Sequence, residues 1–187
     1  MSLSIAAYRQ AGDTIEDADI DEDAGIEISK LATRTLYVSI PAPALMRSGA
    51  GVASGAEGVY GTVTLPDANT GILYGFFPLP DEWDSGTITC RIWWNTPATA
   101  NDVKFSIALK STTVDGTTTA EETLTVTDTA DATGDDINNA TVSFAAADFT
   151  KGDFIGFSLT RDPSDVADTL GASAKIFAVD FEYTGRG

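Results

Sequence analysis

Histidine is absent from the 187-residue chain, and cysteine occurs once, at Cys90. Without an imidazole there is no base for a Ser-His hydrolase, and one thiol with no histidine leaves too few ligands for a zinc site. A lone thiol also excludes an intrachain disulfide. Set among Ile88, Ile92 and Trp94, Cys90 reads as a small apolar core residue. Basic residues are scarce: 11 Lys and Arg stand against 28 Asp and Glu, a formal net charge of -17. Nucleic acid and anionic membrane surfaces are both recognised through clustered positive charge, so neither is expected as a partner. No apolar run approaches the roughly 20 residues a membrane helix needs. The opening residues, Met1 to Arg9, lack a basic run followed by an apolar core, so no signal peptide is expected and the chain is expected to be made in the cytoplasm.

What is present argues for a folded protein. The composition is 43% hydrophobic with three Trp, nine Phe and five Tyr, enough for one domain of ordinary size with an appended segment. That segment is acidic. Between Asp13 and Leu31 the apolar Ile15, Ile20, Ile26, Ile28 and Leu31 are spaced too irregularly for one helix or one strand. Two readings stand: an arm whose isoleucines dock on another protein, or a solvated tail. Leu36 to Ile40 is a short strand-like run, Pro41-Ala-Pro43 favours an extended connector, and Ser48 to Gly58 has the composition of a flexible linker. The expected division is therefore an arm and linker over residues 1–58 and a folded domain over 59–187.

From Val59 the strand signals recur at short intervals. The clearest is Thr87 to Trp94, where Ile88, Cys90, Ile92 and Trp94 alternate with Thr87, Thr89, Arg91 and Trp93. Val59 to Leu65, Glu121 to Thr127 and Asn138 to Phe144 are further strands, and Asp153 to Arg161 sets Ile155, Phe157 and Leu159 on one side. Asp102 to Lys110 alternates with Val103, Phe105, Ile107 and Leu109 inward. In Lys175 to Tyr183 the alternation groups Phe177 with Val179, Phe181 and Tyr183, against Ile176, Ala178, Asp180 and Glu182. Ile72 to Leu79 is apolar on both faces, which predicts cover on both. About eight short antiparallel strands with no helix between them predict an all-β fold, a jelly-roll β-sandwich.

Candidate chemistry is sparse. Asp17 to Asp23 fails as a calcium loop in either register, for Glu22 or Ala24 falls where glycine is required and Ile28 or Lys30 where a bidentate Glu is required. The loop acids near Asp128 to Asp136 and Asp162 to Asp168 read as solvated charge, with loosely held calcium as the alternative. No cofactor, metal or catalytic residue is expected. Trp83, flanked by Asp81, Glu82 and Asp84, and Trp93 are the candidates for stacking on a sugar. The competing reading packs such rings against a neighbouring subunit.

Two stretches carry a resemblance. Ile15-Glu-Asp-Ala-Asp-Ile-Asp-Glu-Asp-Ala-Gly-Ile-Glu-Ile-Ser-Lys-Leu31 resembles an element near the start of tailed-phage fibre and virion proteins. The pattern from Trp83 to Tyr183, with Ile92-Trp93-Trp94, the Lys151-Gly-Asp153 turn and the Arg161-Asp-Pro loop with Asp168-Thr-Leu170, is similar to the jelly-roll heads of phage structural proteins. The resemblance implies a non-enzymatic homotrimer in the virion, attached to the major capsid protein or another virion protein by its arm, with subunit contacts at Trp93, Phe76 or Phe77, and Ile26 to Leu31. Only Leu36 to Gly58 separates arm from head, which favours a capsid-decoration or head-fibre protein over a long tail fibre. The alternative is a carbohydrate-binding module or receptor-binding head that contacts host glycan through exposed Trp or Tyr.

Overall fold

The computed structural model describes residues 33–112, 116 and 118–186; the expected arm residues Ile15, Ile20, Ile26, Ile28 and Leu31 lie outside the described residues. Among the described residues the chain forms β1 (Thr33–Pro41), β2 (Met46–Ser48), β3 (Ala53–Glu57), β4 (Tyr60–Leu65), β5 (Gly71–Pro78), β6 (Ile88–Asn95), β7 (Asp102–Thr112), β8 (Thr118–Thr129), β9 (Asn138–Phe144), β10 (Phe154–Arg161) and β11 (Ala174–Arg186). All pairings are antiparallel. The first sheet runs β3-β4-β11-β6-β9 with β1 also on β11, and the second runs β2-β5-β10-β7-β8. The two sheets form an all-β jelly-roll sandwich.

Alternation explains which side chains meet between the sheets. Ile88, Cys90, Ile92 and Trp94 of β6 are fully buried, as are Val103, Phe105, Ile107 and Leu109 of β7. Ile155, Phe157 and Leu159 of β10 complete the second sheet's inner face. Phe181 of β11 sits at the centre of an aromatic cluster, stacked on Phe77 at 4.4 Å between ring centroids and met edge-on by Phe157 at 4.9 Å. Gly75 makes room for this cluster, because a Cβ there would lie 2.5 Å from the Phe157 ring and 2.8 Å from Leu45.

Two sequence expectations are corrected. The sandwich begins ahead of Val59: β1 pairs with β11 from Thr33 to Pro41, and β2 and β3 occupy part of the expected linker. Leu36, Val38 and Ile40 of β1 pack against the core, so this run is part of the domain. Second, Phe77 lies at 1% exposure inside the sandwich and not on a subunit surface. Within the chain, β5 turns Leu73 and Phe77 inward and leaves Tyr74 and Phe76 exposed on its other face.

One loop is fixed by charge. Arg161, at the end of β10, is fully buried; its Nε and Nη2 donate to the two carboxylate oxygens of Asp168 at 2.9 Å each, and its Nη1 donates to the carbonyls of Ala172 at 2.7 Å and Leu65 at 3.4 Å. A bidentate guanidinium in this place ties the 162–173 loop to both sheets. Asp168→Ala leaves the cation buried without its anion and is expected to lower unfolding free energy by about 3–5 kcal/mol in a urea titration. The double substitution Arg161→Met with Asp168→Leu is expected to recover most of that loss. A single-variant loss below about 1 kcal/mol would contradict the role given to this pair.

Candidate functional site

The outer face of the first sheet is shaped by an irregularity in β11. Ile176 opposes Trp94 and Ala178 opposes Trp93, so Phe177 is an extra residue with no counterpart on β6. The bulge reverses the phase of the strand. Ile176 becomes fully buried, Phe177 leaves the core to become half-buried, and Val179, Phe181 and Tyr183 return to the interior. The simple alternation read from the sequence grouped Phe177 with Val179, Phe181 and Tyr183; the bulge breaks that grouping.

The other edge of β11 changes partner at the same place. It pairs with β4 from Ala174 to Ile176 and with β1 from Ala178 to Arg186. The chain between β1 and β2 makes a short 3-10 turn over Ala42–Ala44, with Pro41 extended before it. Pro43 of this turn lies against Gly61, where a Cβ would come within 2.5 Å of the proline ring. Between these parts opens a groove of about 420 Å³, lined by Pro41, Pro43, Tyr60, Trp93, Phe177 and Ile137 among others. Tyr60 is 61% exposed and meets Phe177 edge-on at 6.0 Å.

Trp93 is half-buried among the residues that line this groove, and its indole N–H is held by a carboxylate. Its Nε1–H donates to Asp180 Oδ2 at 2.6 Å, and Ser39 Oγ donates to the other carboxylate oxygen at 2.5 Å. Beyond Asp180 the face becomes polar. Arg91 Nη2 meets Glu182 Oε2 at 2.7 Å, Thr89 and Ser143 share a hydrogen bond of 3.1 Å, and Thr141 Oγ1 donates to Asn139 Oδ1 at 3.0 Å. The arrangement is an aromatic cradle joined to a ladder of oriented polar groups, the composition of a small-molecule site in which apolar contact supplies area and a few polar atoms set orientation.

The remaining sequence candidates fall elsewhere. Trp83 is 0% exposed, with its Nε1–H donated to the carbonyl of Gly86 at 3.1 Å, so it offers no ring to a ligand. Its acidic neighbours suggested exposure, but the 79–87 loop folds over the end of β11, where Trp83 bridges Gly185 and the Asp84 N–H donates to the carbonyl of Thr184. Phe76, 64% exposed, lies on the opposite sheet and forms a surface pair with Phe154 at 4.8 Å. Trp93 and Phe76 therefore do not meet within one chain. Tyr60, Phe177 and Asp180 were not candidates from sequence. The only advance signal was the Pro-Ala-Pro turn and the glycine at Gly61.

Other reactive groups are occupied. Burial pushes the Cys90 thiol far up from its ordinary value and the nearby Asp180 charge adds to this, so it stays protonated and inert. Three acids of the 162–173 loop have their own partners: Asp168 holds Arg161, Asp165 accepts from Lys104 at 2.6 Å, and Asp162 accepts from Ser164 at 2.7 Å. Among the described residues no three Asp, Glu or Cys side chains group to hold a metal ion.

No protein-family model matches the chain, and no curated protein matches it in sequence. Among solved structures it is similar to the exo-β-1,3-galactanase of Phanerochaete chrysosporium solved with galactose, with a TM-score of 0.51, 11% identity, and 78% of this chain aligned. The aligned part is 29% of the galactanase, so the chain spans less than a third of that enzyme. A family 35 carbohydrate-binding module from Clostridium thermocellum aligns at TM-score 0.48 and 10% identity, over 78% of this chain and 97% of its own. The enzymatically active domain of tailspike protein 4 from bacteriophage CBA120 aligns at 0.39 and 6%, over 82% of this chain and 19% of its own. The galactanase likeness is one of fold, a β-sandwich, and nothing more.

The three indoles differ sharply in access. Acrylamide is expected to quench only the Trp93 component of the fluorescence, and Trp93→Phe to leave a blue-shifted emission that resists quenching until the protein unfolds. Efficient quenching that survives Trp93→Phe would place Trp83 or Trp94 at the surface instead.

Proposed function

We propose that this domain is a non-catalytic binding module for neutral polysaccharide, with the Tyr60–Trp93–Phe177 groove as its site. One observation carries the reading: a half-buried indole whose N–H is already committed to Asp180, so that its ring is held in a groove beside two further aromatics. The C–H faces of a pyranose ring pack on such surfaces, while its hydroxyls find acceptors and donors in Asp180, Ser39 and Asn139. The surrounding charge favours an uncharged partner, since a chain of net charge -17 repels uronate and sulfate groups. Catalysis is not part of the proposal. Beside the groove Asp180 holds Trp93 and Ser39, and Glu182 is paired with Arg91.

Isothermal titration against a panel of neutral polysaccharides tests it, with galactose-based chains included because of the ligand in the similar galactanase. Trp93→Ala is expected to lower affinity at least about thirtyfold, the factor that corresponds to a hot spot of about 2 kcal/mol. Phe76→Ser, on the opposite sheet, is expected to leave it unchanged. Equal binding by Trp93→Ala and the parent protein would reject the site.

A second reading has its own observation. Phe76 and Phe154 form an exposed apolar pair on the outer face of the second sheet, close to Tyr74. This is the surface through which a homotrimeric phage-particle component, a capsid-decoration or head-fibre protein carried in the virion, would associate, with glycan contact on the other sheet left free. Sedimentation velocity at micromolar concentration is expected to show a trimer that Phe76→Ser dissociates. A parent protein that sediments as a monomer would remove this reading and leave the first untouched.

A further inference from the structure

We infer that the groove is one end of an extended site running along the strands of the first sheet to Tyr37, so that the module reads an internal stretch of a polysaccharide and not a single sugar or chain end; this rests on the glycan reading above. The register of the strands makes the case. On the outer face, Pro41, Ala178, Trp93 and Asn139 lie in one row across β1, β11, β6 and β9. Ser39, Asp180, Arg91 and Thr141 form the next row, and Tyr37, Glu182, Thr89 and Ser143 the one after.

Tyr37 stands four residues along β1 from Pro41, an offset of about 13 Å, longer than one pyranose ring. It is 57% exposed on the same face as Ser39 and Pro41, because Leu36, Val38 and Ile40 take the inner positions. The site therefore has an aromatic at each end. Between them lie groups suited to sugar hydroxyls and fixed in place by one another: Asp180 by Trp93 and Ser39, Glu182 by Arg91. A carboxylate with about four lone-pair positions and a guanidinium with five N–H donors have capacity beyond these bonds. Fixed spacing along a strand suits a repeating polymer, in which one ring stacks at Trp93 and a later ring of the same chain reaches Tyr37.

The substrate class is thus a neutral, extended polysaccharide bound across several consecutive units, and Tyr37 is the residue that separates long chains from short ones. The test is calorimetric titration of the parent, Tyr37→Ala, Tyr37→Phe and Trp93→Ala with a neutral oligosaccharide series of increasing length, drawn from whichever polysaccharide of the panel binds. Affinity is expected to rise with length until the chain spans both rings. Tyr37→Ala is expected to lose about five- to thirtyfold for the long members and nothing for the shortest, with Tyr37→Phe retaining the parent's affinity. Since Tyr37 is exposed, an unchanged melting temperature shows that the fold is kept. Binding that depends on Trp93 but is indifferent to Tyr37 and to chain length would overturn the extended site and leave the groove standing. Binding indifferent to Trp93, or no binding to any member of the panel, would overturn both.

Discussion

Strand β11 is the constraint on which the structure depends. Its backbone donors and acceptors must be satisfied along thirteen residues, and three strands supply the partners, with β6 on one edge and β4 followed by β1 on the other. Where β4 gives way to β1, the register with β6 slips by one residue at Phe177. The slip is local, but it separates two parts of the same strand with different roles. Beyond it Val179, Phe181 and Tyr183 fill the core, and at it an aromatic ring is turned outward beside Trp93 and Tyr60. The groove is what remains in the sheet where β1 ends and β4 begins.

Buried charge secures the far side of the same region. Arg161 gathers Asp168 and the carbonyls of Leu65 and Ala172, which join the end of β4, the end of β10 and the approach to β11. Replacing such a cluster by apolar side chains is often neutral for stability, so its value here lies in fixing where the 162–173 loop enters β11. That entry point lies just ahead of Ala174 to Ile176, the stretch paired with β4, after which the bulge follows. The surface charge contributes differently. A formal net charge of -17 disfavours polyanions, and the outer face of the first sheet carries apolar rings beside hydroxyls, carboxylates and the Arg91 guanidinium.

The jelly roll was legible because the buried strands alternate. Ile88 to Trp94 and Val103 to Leu109 each bury the residues their period indicates. Strands without that signal were missed. In β3, Ala53-Ser-Gly-Ala-Glu57 has no apolar alternation, since most of it is exposed at a sheet edge, and it reads as linker. β1 was recognised as strand-like but assigned to the arm, because nothing local says that its partner is β11, some 140 residues away; Ser39 and Asp180 are 141 positions apart. The site was harder still. Trp93 stood out as the ring opposite the core face, but Trp83 looked equally available until the 79–87 loop was seen to close over it. Phe177 obeys the period of its neighbours in sequence and breaks it in space, because a bulge is decided by pairing partners and not by the strand that carries it.

The central claim is that the outer face of the first sheet, opened at the Phe177 bulge, is where a neutral glycan binds. The most direct measurement follows the three indole N–H resonances in a two-dimensional 15N–1H spectrum while a binding polysaccharide fragment is added. The Trp93 resonance is expected to move together with the backbone amides of Tyr60 and Ala178, while those of Trp83 and Trp94 stay in place. A titration in which the Trp93 resonance is stationary and the shifts gather around Tyr74, Gly156 and Lys110 on the opposite sheet would contradict the account.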